Sequence, residues 1–345
     1  MASEAPAAST AKSPWSAVAK AVALLTLIIS VLLTAFAWPA VRSSVHDVPI
    51  AIAGPAAAVD QVSAALDQRL PDAFDVTRVA DTAAAEKLIR DREVYGAIDV
   101  STGTPQVLVA SAGSASIAQT LQSVGNALGQ AQAQGTSPAV AVRDLVALPA
   151  DDPRGAGLAA GALPLVIGGM LAAVLLTNLV RGRRRRVVGA FTFAVTGGLA
   201  MAAILQFWLG SLDGSYLLNA GAIALTVAAT SLTILGLESL LGYPGFAVGG
   251  ITMMLLGNPL SGTSTAPEML PGWSGTFGQL LPPGAGGHLL RSTAYFDGHG
   301  SEYSVLVLLG WLVLGAVLSL LGHHRSRRAA AADEAKAEPA TFAAA

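Results

Sequence analysis

A carboxylate inside a strongly apolar stretch is the first residue of this chain whose type and position could do chemistry. It is Glu238, in LGLESLLGYPG. Charged groups are costly within hydrocarbon and often serve coupling or proton transfer where they occur. Glu238 lies near one end of its stretch, so contact with interfacial water is the alternative. Next come His288 and Arg291, three residues apart in QLLPPGAGGHLLRSTAYF, 279–296, and therefore on one face of a helix. That stretch is too polar to span a bilayer and too apolar for an ordinary loop. Pro282, Pro283 and Gly284 are expected to interrupt it, with Gly286 and Gly287 loosening the backbone. The third group is RGRRRR: Arg181, Arg183, Arg184, Arg185 and Arg186. It could contact an ATPase or anionic lipid, or act only as a topology determinant.

Several chemistries have no residues to carry them. A nucleotide-binding P-loop needs G-x-x-x-x-G-K-[ST], whose amides and lysine hold the phosphates, and the chain has none. H-E-x-x-H and G-x-S-x-G are also missing. There is no cysteine, hence no disulfide, thiolate site or thiol nucleophile. The five histidines form no ligand set. The expectation is a protein that is not an enzyme and takes no cofactor. Any uphill work would draw on a partner or an ion gradient. A net charge of −2 gives no basic field for nucleic acid.

The elements that position these residues belong to a membrane. Of 345 residues, 53% are hydrophobic and 12% charged, against roughly 25% charged in soluble domains. Six segments approach the ~20 apolar residues that cross a bilayer: 21–38, 157–180, 187–209, 216–241, the short Gly-rich 244–260, and 304–322. The first could instead be a signal peptide cleaved after AFA or WPA, although its apolar core exceeds the usual ~7–15 residues. Lys12, Lys20, RGRRRR and HHRSRR all fall on one side if both termini are cytoplasmic. The expected fold is an α-helical polytopic membrane protein with six transmembrane helices and an extracytoplasmic α/β domain between the first two. Residues 1–20 are expected to be a disordered cytoplasmic N-terminus and 323–345 a disordered cytoplasmic tail. Residues 156–322 form the five-helix part, which contains a re-entrant-like segment, 264–297: two short helices broken at PPGAGG.

In 39–155 charge returns and the pattern alternates. VPIAIAG, FDVTRVA, YGAIDV, PQVLVAS and AVAVRDLVAL read as strands. Between them lie helical stretches: one with Val59, Val62, Leu66 and Leu70 at helical spacing, one opened by Asp81 as N-cap, and one over 114–134. The series is β-α-β-α-β-β-α-β, and no catalytic constellation is visible in it.

Two stretches then carry a family resemblance. AAAEKLIRDREVYGAIDV, 83–100, has an R-x-V-Y-G-A core, and GNPLSGTSTAPEMLPGWSGTFGQLLPPGAGGHLLRSTAYF, 257–296, has the order PLSG, LP, LPPGA, R, YF. Together with one large domain after the first span and five clustered spans, they resemble ABC-2-type transporter permeases, in particular the YhgE/Pip (phage infection protein) branch. The chain lacks that branch's long coiled-coil extracellular region, and its cytoplasmic loops are short. The resemblance implies a membrane permease that exports a hydrophobic or amphiphilic compound with a separate cytoplasmic ATP-binding subunit, as a dimer. The other implied role is a non-transporting scaffold or surface receptor whose outer domain binds a phage or envelope partner.

Overall fold

A computed structural model describes residues 13–102, 105–132 and 140–337. The chain is mostly helical with one small mixed sheet. It opens with α1, Trp15–Val41, an apolar helix that starts six residues before the expected span. Residues 15–20 are thus helical, not part of a disordered terminus. Pro14, in an extended conformation, precedes the first turn, a geometry that suits helix entry. The hydroxyls of Ser30 and Thr34 turn back to the carbonyls of Thr26 and Ser30, which satisfies these two groups within the exposed helix.

The α/β unit follows: β1 Val48–Ala53, α2 Ala56–Arg69, β2 Phe74–Val79, α3 Thr82–Arg90, β3 Gly96–Asp99, β4 Gln106–Val109, α4 Ala115–Gln132 and β5 Ala141–Asp144. The order of elements is the alternating one legible in the sequence. The last strand is shorter than expected, and residues 133–139 before it lie outside the described residues. The strands are ordered β2-β1-β3-β4-β5. All neighbours run parallel except β3 and β4, which form an antiparallel pair. Strand alternation splits the core in two. Ile50 and Ile52 face Val59, Val62 and Leu66 of α2 and Ile117 and Leu121 of α4. Ala51 and Ala53 face Ala85 and Ile89 of α3. Asp81 caps α3, accepting from the Ala84 amide at 2.8 Å, which satisfies one of the helix's open donors.

The second half is a helical bundle: α5 Ala156–Leu179, α6 Arg183–Ala203 continued by a π turn Ile204–Trp208, and α7 Tyr216–Leu241. Next come α8 Tyr243–Gly250 with π turns Ile251–Gly257, α9 Ser274–Gln279, α10 Pro282–Tyr295 and α11 Glu302–Ala337. α7 is the axis, nearly buried along its length, and α5, α6, α8, α10 and α11 pack on it. With lipid outside, helices associate through close packing of small residues. Gly236 of α7 and Gly315 of α11 provide it: a Cβ on Gly236 would stand 2.6 Å from the Gly315 carbonyl oxygen.

Among the described residues five helices are long and apolar enough to cross a membrane: α1, α5, α6 with its π turn, α7 and the Glu302–Arg325 part of α11. The expected fifth of six spans is instead the shorter Tyr243–Gly257. Its 15 residues rise roughly 22 Å at ~1.5 Å each, short of a ~30 Å hydrocarbon core. Two further expectations are corrected. The stretch PPGAGG does not break a helix, because Pro282 and Pro283 occupy the first turn of α10, where proline lacks no needed donor. The break lies just before it, at Leu280–Leu281. The tail after 323 is not disordered as far as Ala337, since α11 continues through AAAADEAKA. Alanine has the highest helix propensity, so an Ala-rich run extends a helix already nucleated. Residues 338–345 lie outside the described residues.

Candidate functional site

The polar groups concentrate at two poles of the bundle, and the first pole joins it to the α/β unit. Arg92 sits in the turn after α3 with a left-handed φ of 62°. Its guanidinium donates to the His288 carbonyl at 3.1 Å and to the Ser292 hydroxyl, both on α10. It also stacks over the Phe296 ring, 5.0 Å from the centroid, as a cation over a π face does. Three residues on, the Tyr95 hydroxyl donates to Glu268 Oε2 at 2.7 Å. Apolar packing closes the same seam. Ala266 and Met269 join the core on one face of the sheet, and Phe296 joins the core on the other.

Burial lowers the pKa of Arg92 to about 10, helped by the neighbouring Arg291 charge and opposed by Tyr95 and Glu268. Burial also raises the Tyr95 phenol well above its ordinary range, and the Glu268 charge and hydrogen bond add to that. Tyr95 is therefore a neutral donor, and the carboxylate it serves stands near two guanidinium groups.

α10 is the hub of this pole. Arg291 donates to the Thr263 carbonyl at 2.7 Å, holding the loop after the π turns. The His288 Nδ1 lies 3.0 Å from the Ser304 hydroxyl at the start of α11. The Tyr295 hydroxyl donates to the Ser211 carbonyl at 2.5 Å, in the turn between α6 and α7. The expected pairing of His288 and Arg291 on one face does not bring them to one partner: each holds a different element. Leu289, Leu290 and Phe296 are buried against neighbouring elements. Pro282, Pro283 and Gly284 are buried at the base of α10. Beside Arg291 lies a cavity of about 30 Å³ lined by Ser111, Ser114, Arg154 and Thr263. Below it, beside Thr226, Pro283 and Gly287, is another of about 10 Å³. These have room for a water or two.

At the other pole Glu238 Oε2 lies 3.7 Å from Arg186 NH1. Arg186 also donates to the Val180 carbonyl at 2.8 Å and the Thr177 carbonyl at 2.9 Å, both at the end of α5. One guanidinium thus joins α5, α6 and α7, and cations suit helix C-termini. A cavity of about 550 Å³ opens there, lined by Arg183, Glu238, Ser239, Ser319 and His323 among others. Arg181, Arg184 and Arg185 are exposed and Arg183 is partly buried.

Sequence reasoning singled out Glu238 and the arginine run but missed Arg92, Tyr95 and Glu268 as site residues. A signal was present. Arg92 and Tyr95 are the R and Y of the first resemblance stretch, and Glu268 lies in the second. Neither residue's partner can be found without the fold. No protein-family model, no curated protein and no solved structure matches this chain.

Proposed function

We propose that this chain is the membrane permease component of an ABC-2-like export system. It moves a hydrophobic or amphiphilic compound out of the cell and draws its energy from a separate cytoplasmic ATP-binding subunit. One observation carries the reading. The two stretches that resemble that family, about 170 residues apart in sequence, pack against each other through Arg92–Ser292 and Tyr95–Glu268. Two motifs that meet as one unit support a shared origin better than two separate likenesses.

In this reading both termini are cytoplasmic and 39–155 lies outside, as the positive-inside rule requires. The arginine pole then faces the cytoplasm. The cavities beside α10 are about 30 and 10 Å³ and that at the arginine pole about 550 Å³, which fits a path closed at α10 and open towards the arginines; a further space of about 490 Å³ lies between the end of α1 and Pro271–Gly272. α7 runs between the poles as a rigid rod of roughly 39 Å. A shift at Arg186–Glu238 reaches α10 through it, and α10 holds the outer closure. The extension of α11 to Ala337 gives a partner subunit a helix to grip. In this reading the partner's ATP cycle supplies the change in which state is favoured that transport needs.

The test is efflux of a lipophilic dye panel from cells that carry the chain with its neighbouring genes. Wild-type protein should lower retention of at least one dye, and Glu238→Gln should abolish this at equal membrane abundance. Retention equal to that of empty cells for every dye would count against export. The short turns favour a second reading: α5 and α6 are joined by only Val180–Gly182, and α7 and α8 by Gly242. A scaffold or surface receptor needs no cytoplasmic machinery, and its outer domain would bind a phage or envelope partner.

A further inference from the structure

We propose that the groove between α6 and α11 at the arginine pole binds an anionic phospholipid, its acyl chains along the walls and its phosphate on the arginine run. The inference is independent of whether the chain transports anything.

Three observations meet in this groove. First, α6 and α11 both pack along α7, and Leu232 of α7 forms the floor between them. The space holds about 1000 Å³, the upper end of the ~300–1,000 Å³ range of ligand sites. Second, the walls are apolar and continuous. Val187, Val188 and Phe191 come from α6, and Leu312, Ala316 and Leu320, four apart on one face, come from α11. Val188 and Leu320 are more than half exposed, so an apolar chain lying here would cover surface that no other part of the described chain covers. Third, the mouth is cationic. Arg181, Arg183, Arg184, Arg185 and His323 line the same groove.

Charge selects the occupant. Arg186 is committed to Glu238 and to the end of α5. Among the described residues none of Arg181, Arg183, Arg184 and Arg185 makes an ion pair. Four unpaired guanidiniums at the end of an apolar slot match a ligand with a phosphate at one end and hydrocarbon at the other. Guanidinium forks bind phosphate oxygens in pairs. A topology signal alone needs positive charge, but it needs no slot beneath it.

Native mass spectrometry of the purified full chain, titrated with phosphatidylglycerol and with phosphatidylcholine of the same acyl chains, tests this. Wild type should retain phosphatidylglycerol preferentially. Each arginine near an anionic surface contributes roughly fivefold, so Arg184→Gln/Arg185→Gln should reduce that preference roughly 25-fold. Ala316→Trp should fill the slot and weaken retention of phosphatidylglycerol with every arginine in place. Leu320→Trp is the second slot variant should the first fail to fold, and an unchanged melting temperature certifies either. Equal retention of the two lipids would overturn the proposal. So would full retention in a folded slot variant, which would leave only a surface headgroup contact. Inorganic phosphate competing as well as the lipid would overturn it too. A change of oligomeric mass in the arginine variant with lipid retention intact would make the groove a subunit contact instead.

Discussion

Tyr95 and Glu268 show how a single hydrogen bond can fix the relation of two parts of a chain. The bond spans 2.7 Å and 173 positions of sequence. Tyr95→Phe keeps the ring but leaves the carboxylate without its donor. Hydrogen bonds to charged groups contribute about 1.5–3 kcal/mol, so thermal unfolding in detergent should register a loss of about that size. Arg92→Lys keeps the charge but loses the planar guanidinium that lies over the Phe296 ring while its Nη1 donates to the His288 carbonyl and the Ser292 hydroxyl, and it should also destabilise. A melting curve unchanged by both substitutions would mean that the seam is held by Met269 and Phe296 packing alone. Asp99 gives a pH test in the same unit. Burial pushes its carboxyl up, but hydrogen bonds from Ser101, Thr82 and Gln106 outweigh that and hold it below the usual carboxylate value. Its contribution is therefore present above the unfolded value, near 4, and is lost as pH falls through the folded one. Asp99→Asn should lower stability at neutral pH and make the acid limb of the stability curve shallower. An acid limb of unchanged steepness would remove Asp99 from the account. Asp99 ends β3, and its donors come from three separate places in the sequence: the start of α3, the following turn and β4.

At the scale of elements, α10 separates what the sequence can show from what it cannot. Proline and glycine in PPGAGG announce an irregular backbone, but whether they break a helix or begin one depends on what precedes them. Here α9 ends first, so the prolines start α10. The glycines then serve close packing rather than looseness. A Cβ on Gly286 would collide with the Thr226 side chain of α7, and one on Gly287 would stand 2.8 Å from the Thr263 hydroxyl. Gly286→Ala should therefore destabilise the bundle, and Thr226→Ala should partly rescue it, a non-additivity expected of residues in contact. If the glycine served flexibility, the second substitution would not help. Cysteine scanning gives the matching geometric result. Positions 282–287 should resist a membrane-impermeant thiol reagent, while Leu280 and Asp297, both exposed, should react. Uniform reactivity across 279–296 would mean a solvated loop. The α/β series was legible because alternation and Asp81 capping are local signals. The reach of α11 was not, because an Ala-rich tail reads as low complexity until a preceding helix nucleates it.

For the whole molecule, the composition and the five long apolar helices among the described residues suggest a membrane protein, while side and partner are readings that charge placement supports. The chain has no cysteine, so single substitutions are clean reporters. Gln68→Cys, exposed on α2, should react in intact cells, and His324→Cys, exposed at the end of the last span, should not. The reverse pattern would invert the topology and place the arginine pole outside. The central claim is that this is a permease driven by a separate ATP-binding subunit. The most direct measurement is purification of the tagged full chain from its own membranes in mild detergent, with identification of what accompanies it and assay of ATP turnover. The account predicts a co-purifying ATP-binding subunit that carries all the turnover, none remaining when the chain is stripped of it. ATP turnover by the isolated chain, or repeated recovery with no ATP-binding subunit, would contradict it.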